Sequence, residues 1–349
     1  MIRFNSDYCE GAHERILARL TKTNLEQTPG YGEDEYCKAA AQCIRSLCEA
    51  PDAAVHFLVG GTQANLTVVS AALRPYQGVI SASSGHINVH ETGAIEATGH
   101  KVLSQESTDG KLRPQQIETT CRLHFTDEAF EHMPQPKMVY ISNPTELGTI
   151  YSLQEIKDLR AACDKYGLLL FMDGARLGYG FAAQTNNLTL KDLAQYCDVF
   201  YIGGTKVGAL FGEAVVITNK DLQKDFRYII KQKGGMLAKG RLLGLQFLEL
   251  LEDGLYFELG QHAVKLADTM RKAFTDAGYA FYVNSPTNQI FAIIPDKDLA
   301  VLKQNYSYAY QLQLDDANSV VRFCTSWATR PEDVDTFINS LKLLAQNKA

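Results

Sequence analysis

The chain alternates between short, continuous apolar runs and stretches in which apolar residues recur every three or four positions. Continuous runs are typical of strands buried on both faces of a parallel sheet, and the spaced stretches are typical of helices. Strands are predicted in the runs at 55–59, 138–142, 168–172, 199–202 and 214–217 and within 78–85. Because strands and helices alternate, the pattern predicts an α/β fold with a mostly parallel sheet.

The pattern changes near residue 240. Beyond it come long helical stretches, two strands at 291–294 and 320–324, and a final helix that opens at Pro331. A chain of 349 residues also exceeds what one hydrophobic core usually supports. We therefore predict a lead-in segment (1–30), a large α/β domain (31–240) and a small α+β domain (241–349). Residues 100–135 are polar and predict a helix and surface loops.

Composition narrows the class of protein. Hydrophobic residues make up 46% and charged residues 21%, which is typical of a soluble enzyme. The net charge of −6 and the lack of a basic block argue against nucleic acid or an anionic membrane as partner. Neither a signal core nor a membrane-length apolar run is present. The eight cysteines form no Cys-x-x-Cys pair, which indicates buried thiols in a reducing cytoplasm and no metal site.

Two neighbouring strand ends carry charged groups. The run at 168–172 is followed by Asp173, and the run at 199–202 leads to Lys206. Carboxyl ends of parallel strands form the ligand edge of such sheets. A desolvated lysine can form a Schiff base with a cofactor aldehyde, and the Asp can pair with the protonated pyridine nitrogen of pyridoxal phosphate (PLP). Taken singly, a turn cap and a solvated strand end are the commoner interpretations. The pair, together with the phosphate loop that follows here, favours a cofactor.

A candidate phosphate loop lies earlier in the chain. The strand at 55–59 runs into Gly60, Gly61 and Thr62, and a helix follows. The free N–H groups and the dipole of a helix N-terminus favour an anion there. A plain strand-to-helix turn with Thr62 as N-cap is the alternative.

Two further residues have two interpretations each. His86 follows a strand end and suits either an imidazole stacked on a cofactor ring or an ordinary helix-terminal histidine. A zinc site with His90 lacks a third ligand. Arg322 lies among apolar strand residues, where its planar fork suits either a substrate carboxylate or an internal ion pair. No Gly-x-Gly-x-x-Gly follows the first strand, which excludes a dinucleotide-binding domain.

Four motifs, in this order, resemble the threonine aldolase family of PLP enzymes, fold type I: Gly61 to Asn65, His86 with Glu91, Asp173 to Arg176, and Thr205-Lys206. The resemblance extends from about Ser6 to the last helix. It implies a large α/β/α domain with a mostly parallel sheet and a smaller α+β C-terminal domain. It also implies a homo-oligomer, a dimer or tetramer, whose active site lies at the subunit interface.

The resemblance also implies roles for individual residues. The catalytic residues would be Lys206, which binds the cofactor covalently, Asp173, which pairs with its pyridine nitrogen, and His86, which stacks on its ring. Cofactor contacts would come from Gly61, Thr62, His86, Asp173, Arg176, Lys206 and, from a neighbouring subunit, Lys239. Substrate contacts would come from Ser6, Arg176, Arg322 and, from the subunit partner, Tyr31.

One stretch departs from the family pattern. Many threonine aldolases carry a second His in an Asn-Thr-His-Asn stretch, whereas this chain has Asn143-Pro144-Thr145-Glu146, which looks closer to the phenylserine aldolase branch. The implied reaction is cleavage of threonine, allo-threonine or phenylserine to glycine and an aldehyde. The proton acceptor is left open between His86, which we favour, His90, a bound water and Glu146. A β-eliminating lyase is the main alternative, ahead of a transaminase or a PLP-binding protein without turnover.

Overall fold

A computed structural model describes residues 1–346 of the chain. Its strands are β1 (Ile2–Arg3), β2 (Ala54–Leu58), β3 (Gln77–Ala82), β4 (Lys101–Gln105), β5 (Gln135–Ser142), β6 (Leu169–Asp173), β7 (Val199–Gly203), β8 (Glu213–Ile217), β9 (Ala280–Phe281), β10 (Gln289–Pro295), β11 (Tyr306–Ser307), β12 (Ala309–Gln313) and β13 (Asn318–Cys324). Two short 3₁₀ helices span Glu96–Thr98 and Phe130–His132.

The α-helices complete the list of elements. They are α1 (Glu14–Lys22), α2 (Glu35–Leu47), α3 (Gly61–Ala72), α4 (His86–Val89), α5 (Pro114–Thr126), α6 (Leu153–Tyr166), α7 (Leu177–Ala182), α8 (Leu190–Tyr196), α9 (Lys220–Gln223), α10 (Phe226–Gln232), α11 (Arg241–Leu251), α12 (Leu255–Asp276), α13 (Asp296–Leu302) and α14 (Pro331–Gln346). No helix within residues 1–346 is both long and apolar enough to cross a membrane.

The largest sheet has seven strands in the order β2-β8-β7-β6-β5-β3-β4. Strand β8 runs antiparallel to both of its neighbours, and every other pairing in the sheet is parallel. The predicted α/β fold with a mostly parallel sheet is confirmed. The six apolar runs before residue 240 that predicted strands all fall in this sheet, as β2, β3, β5, β6, β7 and β8. The two later predicted strands are β10 and β13 of a smaller sheet.

Local sequence signals explain how β6 is placed. Helix α6 begins with a capping box, in which the Ser152 hydroxyl accepts from the Glu155 N–H at 3.2 Å and Glu155 accepts from the Ser152 N–H at 2.8 Å. The helix ends at Gly167, whose φ of +62° favours glycine. The chain then turns directly into β6, so that Asp173 arrives at the carboxyl edge of the sheet.

Strand β4 corrects the prediction of a helix and loops for residues 100–135. Helix α5 is present, but residues 101–105 pair in parallel with β3 at the end of the sheet. Lys101 and Ser104, which lie on opposite faces of the strand, are both exposed, as expected at the edge of a sheet. The strand therefore lacks the continuous apolar run by which the inner strands are recognised.

Helices cover both faces of the large sheet. Helices α2, α6, α8, α11 and the first half of α12 pack on one face, and α3 and α10 pack on the other. The first of these cores extends along α12 to Val264, whereas Leu266 belongs to a separate core around the small sheet. The predicted division at residue 240 stays a prediction. Residues 347–349 of the predicted small domain lie outside the described residues.

The small sheet is antiparallel, with the order β12-β13-β10-β9. Arg322 lies on its strand β13, opposite Phe291 on β10 and Ala309 on β12. The N-terminal strand β1 pairs with β11, and Phe4 is fully buried in the adjacent core. The following residues, including Asp7, are thereby held between the two sheets.

Candidate active site

The carboxyl ends of the parallel strands surround a cavity of about 300 Å³, called the first cavity below. Its lining includes six residues predicted from the sequence, which are Gly61, Thr62, His86, Asp173, Arg176 and Lys206. They come from four separate strand-to-loop junctions, which follow β2, β3, β6 and β7. The fold thus brings together groups that lie up to 145 residues apart in the chain (206 − 61).

A second cavity of about 440 Å³ adjoins the first. Both cavities are lined by Tyr8, His86, Glu146, Arg176 and Lys206. The second cavity adds Arg322, His90 and Leu147. Arg322, on the small sheet, and Lys206, on the large sheet, therefore line one continuous site.

Asp173 is buried, and both of its carboxylate oxygens accept hydrogen bonds. Its Oδ1 accepts from the Ala175 N–H at 2.9 Å, and its Oδ2 accepts from the Tyr140 hydroxyl at 2.6 Å and from Asn65 Nδ2 at 3.3 Å. Burial alone would raise the pKa of Asp173, but the charge of His86 and the hydrogen bond from Tyr140 lower it. Its carboxylate is therefore ionised at neutral pH. A Cβ at the next residue, Gly174, would lie 1.9 Å from the Tyr201 carbonyl oxygen, which requires glycine there.

His86 is held through one ring nitrogen. Its Nδ1 lies 2.7 Å from Glu91 Oε1, which also accepts from Asn65 Nδ2 at 2.6 Å. Burial would lower the pKa of His86, but the bond to Glu91 and the charge of Asp173 raise it. Glu91 thus fixes the orientation of the imidazole, and Asn65 links this carboxylate to Asp173.

Lys206 lies in surroundings that disfavour its ammonium form. Burial, followed by the charge of Arg176, lowers the pKa of Lys206, although Asp7, Asp173 and Glu213 act in the opposite direction. Its Nζ lies 6.0 Å from the centre of the Tyr8 ring. A lysine of this kind is available as a neutral nucleophile at a lower pH than an exposed one.

Arg176 has a partner that the sequence did not reveal. It donates to Asp7 from Nε at 2.7 Å and from Nη2 at 3.0 Å, and Asn288 also donates to Asp7, at 2.9 Å. Burial would raise the pKa of Asp7, but the Arg176 charge holds it well below its usual range. Arg176 lines both cavities, and the buried Asp7 carboxylate neutralises its positive charge.

Arg322 forms no ion pair within residues 1–346. Its guanidinium donates to Gln289 Oε1 at 3.2 Å and to the Asn5 carbonyl at 3.3 Å, and its buried Nε has no hydrogen-bond partner there. The internal ion pair that the sequence left open is therefore not seen. Ser6, also predicted to bind substrate, lines neither cavity, although its buried hydroxyl is likewise unpartnered within those residues.

Tyr31 and Lys239 lie apart from both cavities. Tyr31 lines a separate groove of about 270 Å³ with Arg227 and Met236, and Lys231 Nζ lies 4.9 Å from the centre of its ring. Lys239 is exposed beside this groove, directly before Gly240. Their predicted roles belong to a neighbouring subunit's site and stay predictions.

Two further acids line the first cavity. Glu146 accepts from the Ser142 hydroxyl at 2.7 Å and from the His86 N–H at 3.0 Å, and burial, then Asp173, raises its pKa. Glu213 accepts from the Thr205 hydroxyl at 3.0 Å, and burial raises its pKa to about 8. Within residues 1–346, no group of His, Cys, Asp and Glu is arranged to hold a metal ion.

Sequence reasoning missed several residues of the site, which are Asp7, Tyr8, Tyr140 and Glu213. Asp7 and Tyr8 reach it from an N-terminal segment without periodicity, and Tyr140 looked like an ordinary strand residue. Glu213 offered a weak signal, because it places an acid after glycine at the start of an apolar strand.

The lining of the first cavity fits pyridoxal phosphate. Helix α3 begins at the cavity with no side-chain cap on Gly60, which leaves its N–H groups for a phosphate. A Cβ at Gly61 would lie 3.0 Å from the Tyr201 hydroxyl, so glycine leaves space at the start of α3. The ionised Asp173 suits a protonated pyridine nitrogen, and Lys206 suits the cofactor aldehyde. Together with the mostly parallel sheet, this defines the class of PLP enzymes of fold type I.

Comparison with known proteins agrees with this class. The family model described as "Beta-eliminating lyase" matches residues 4–297. A low specificity L-threonine aldolase of Pseudomonas sp. is 32% identical over 94% of this chain and 93% of its own length. The solved structure of a Leishmania major threonine aldolase is 45% identical, with a TM-score of 0.96, over 99% of this chain and 100% of that one. An aspartate aminotransferase of Thermus thermophilus, 15% identical with a TM-score of 0.72, shares the fold over 99% of this chain and 91% of that one.

The chain therefore belongs to the β-eliminating lyase family and, within it, to the threonine aldolases. Its cofactor is pyridoxal phosphate, and it is a PLP-dependent lyase. The family resemblance and the fold type predicted from the sequence are confirmed.

Proposed function

We propose that the enzyme cleaves the Cα–Cβ bond of a β-hydroxy-α-amino acid, of the threonine, allo-threonine or phenylserine type, to glycine and an aldehyde. The observation that carries this proposal is the position of Arg322. It lines the second cavity with Lys206 and His86 and has no carboxylate partner within residues 1–346. The similarity to low specificity L-threonine aldolases supports the choice of bond.

The substrate carboxylate would bind to Arg322, with Arg176 close to it. A bidentate guanidinium grip fixes both the position and the plane of a carboxylate. Because Arg176 is already balanced by Asp7, the net positive charge offered to the substrate comes mainly from Arg322. The bound cofactor supplies an electron sink for the pair released when Cα–Cβ breaks, and Asp173 favours this by holding a proton on the pyridine nitrogen.

His86 is our first candidate for the group that accepts the β-hydroxyl proton. It lines both cavities, and its Nδ1 bond to Glu91 leaves Nε2 as the second ring nitrogen. When that proton leaves, the hydroxyl oxygen forms the aldehyde carbonyl as Cα–Cβ breaks, and a proton returned to Cα completes glycine. His90 lies on the same wall of the second cavity, and burial, then His86, lowers its pKa, so it stays a candidate. A bound water is the third possibility.

Glu146 is the weaker candidate for this role. Its Oε1 already accepts two hydrogen bonds, from Ser142 and from the His86 backbone, and its raised pKa favours the protonated form. We therefore expect Glu146→Gln to lower kcat less than His86→Gln does. The opposite order would move the role of base to Glu146.

The second cavity supports a bulky β-substituent. Its volume of about 440 Å³ exceeds the volume of about 300 Å³ of the first cavity, and Val89 and Leu147 form an apolar part of its wall. We propose that a phenyl group is accepted at least as well as the methyl group of threonine. Comparing kcat/KM for phenylserine and threonine tests this preference separately from the reaction type.

A PLP-dependent β-eliminating lyase is the second candidate, favoured by the family model that matches residues 4–297. The two reactions release different products. Incubation with threonine and phenylserine should yield glycine and an aldehyde in equal amounts, whereas ammonia and a keto acid would establish elimination. Lys206→Ala should abolish turnover and the visible absorbance of the bound cofactor, and Lys220→Ala, at an exposed lysine, is the control.

We also propose a homo-oligomer, a dimer or tetramer, in which Tyr31 and Lys239 complete the site of the neighbouring subunit. Neither residue lines the first cavity of its own chain, which supports this. Mixing the inactive variants Lys206→Ala and Tyr31→Ala after dissociation should restore part of the activity, because one hybrid site carries neither change. If no activity returns from hybrids shown to form, Tyr31 acts within its own chain.

A cytoplasmic location is proposed on the state of the cysteines. All eight are free thiols, and six of them are buried. Free buried thiols are typical of reducing compartments. Cell fractionation with a tagged chain tests the proposal.

A further inference from the structure

Glu213 stands where the phosphate end of the first cavity meets the sheet. It begins β8, and its register partners are Leu58 on β2 and Gly203 on β7. Gly60 and Gly61, which open helix α3, lie just beyond Leu58 and line the first cavity together with Glu213. The antiparallel strand β8 therefore delivers a carboxyl group to the place where a helix N-terminus offers its N–H groups.

One oxygen of this carboxyl group is unused. Glu213 is only 3% exposed, and its Oε1 accepts from the Thr205 hydroxyl, which in turn accepts from the Gly212 N–H at 3.0 Å. Its Oε2 is buried and has no hydrogen-bond partner within residues 1–346. A buried polar atom without a partner is costly, so its presence at a ligand cavity indicates a contact that the ligand makes.

We propose that Glu213 keeps its proton and donates it from Oε2, as a hydrogen bond, to the phosphate group of the cofactor. An ionised carboxylate there would repel the phosphate dianion, whereas an O–H donor to a charged oxygen forms a strong hydrogen bond. The proposal rests on the cofactor and not on the reaction that the enzyme catalyses.

The charged groups around Glu213 agree with this protonation state. Burial raises the pKa of Glu213 to about 8, against the effect of Lys206, and Asp173 adds to the rise. Tyr201 and Tyr256 are the neighbouring titratable hydroxyl groups. On β2, burial lowers the pKa of His56 to about 4, so this ring is neutral. From α11, the apolar side chains of Leu243 and Phe247 lie within 3.3 Å of the place that a Cβ on the adjoining Gly212 would take.

Pyridoxine 5′-phosphate is the probe for the test, because it has the ring and the phosphate but no aldehyde to react with Lys206. Its Kd for the full-length apoenzyme is measured by calorimetry at two pH values. Because Glu213 must be protonated to donate, the wild-type Kd should rise ~25-fold between about pH 7.5 and about pH 9.5. In Glu213→Gln, whose amide donates at every pH, the rise should stay below about 3-fold.

Two comparisons can overturn the proposal. If Glu213→Gln shows the same rise as the wild type, another group is responsible. If pyridoxine, which lacks the phosphate, weakens as much as its phosphate ester in the wild type, Glu213 does not act on the phosphate. Glu258→Gln, at an exposed residue of α12, should keep the wild-type rise.

A second variant removes the donor altogether. Glu213→Ala should bind pyridoxine 5′-phosphate at least ~10-fold more weakly than the wild type at about pH 7.5, because a hydrogen bond to a charged group is lost. Wild-type affinity in this variant would contradict the proposal. Circular dichroism identifies a variant that fails to fold, and in that case the isosteric Glu213→Gln decides the question.

Discussion

Arg176 and Asp7 form a two-bond ion pair, with Nε–Oδ2 at 2.7 Å and Nη2–Oδ1 at 3.0 Å, in which the Asp7 side chain is wholly buried. The pair joins the N-terminal segment to the loop after β6. It keeps Tyr8 beside Lys206 and gives Arg176 a fixed orientation at the boundary of both cavities. A segment outside the sheet is therefore part of the active site.

Removing one partner of this pair should strongly destabilise the protein. Asp7→Asn leaves the Arg176 charge buried and uncompensated, and we expect a loss of about 3–5 kcal/mol in the free energy of unfolding. Urea denaturation followed by circular dichroism measures it. Asp253→Asn, which breaks a largely exposed pair with Arg15, is the control and should change little.

The same pair predicts a pH dependence. The folded pKa of Asp7 is lowered, so its contribution to stability is present above the unfolded pKa of about 3.9 and is lost as the pH falls towards the folded value. The difference in unfolding free energy between wild type and Asp7→Asn should therefore be constant near neutral pH and shrink in acid. A difference that grows below about pH 4 would contradict this assignment.

Arg322→Leu should weaken substrate binding and leave the cofactor in place. Loss of a charge-assisted grip on the carboxylate, worth about 2 kcal/mol, should raise KM ~30-fold. Steady-state kinetics and the absorbance of the bound cofactor separate the two effects. Arg330→Leu removes an exposed arginine of the same region and is the matched control. An unchanged KM in Arg322→Leu would remove this residue from the substrate site.

Asp173→Asn should keep the fold but slow the chemical step. The amide cannot hold the pyridine nitrogen protonated, and we expect kcat to fall ~10²–10³-fold, as for the loss of other preorganised charge stabilisers. Tyr140→Phe removes only one hydrogen bond to Asp173 and should have a smaller effect. If both variants lose the same activity, the tyrosine has a role of its own.

Glu91→Gln should shift the pH profile of the reaction. Glu91 and Asp173 raise the pKa of His86 against the effect of burial, so the change should lower that pKa. If neutral His86 accepts the proton, the rising limb of kcat/KM against pH should move to lower pH. Stopped assays of glycine release across the pH range measure the shift. If the rising limb of the kcat/KM profile does not move, His86 is not the base.

Apolar runs and strand-end residues predicted much of this architecture. The inner strands of the large sheet are buried on both faces and therefore appear as continuous runs, and their ends carry Asp173 and Lys206. Strand β4 was missed because an edge strand with exposed residues on both faces has no such run.

The rest of the site depends on contacts between residues that are far apart in the chain, and no local sequence pattern predicts such contacts. Asp7 approaches Arg176 across 169 residues of chain, and Arg322 reaches the second cavity from a different sheet. Glu213 acts from the antiparallel strand, whose beginning, not its end, faces the ligand edge. The direction of one strand thus decides which of its residues meets the cofactor.

Helix α12 runs without a break from the core of the large sheet into the core of the small one. One continuous helix therefore joins the large sheet, which Lys206 follows, to the small sheet, which carries Arg322. A substitution that tilts helix α12 should change which lengths of amino acid substrate fit the site, even when every side chain that touches the substrate is unchanged.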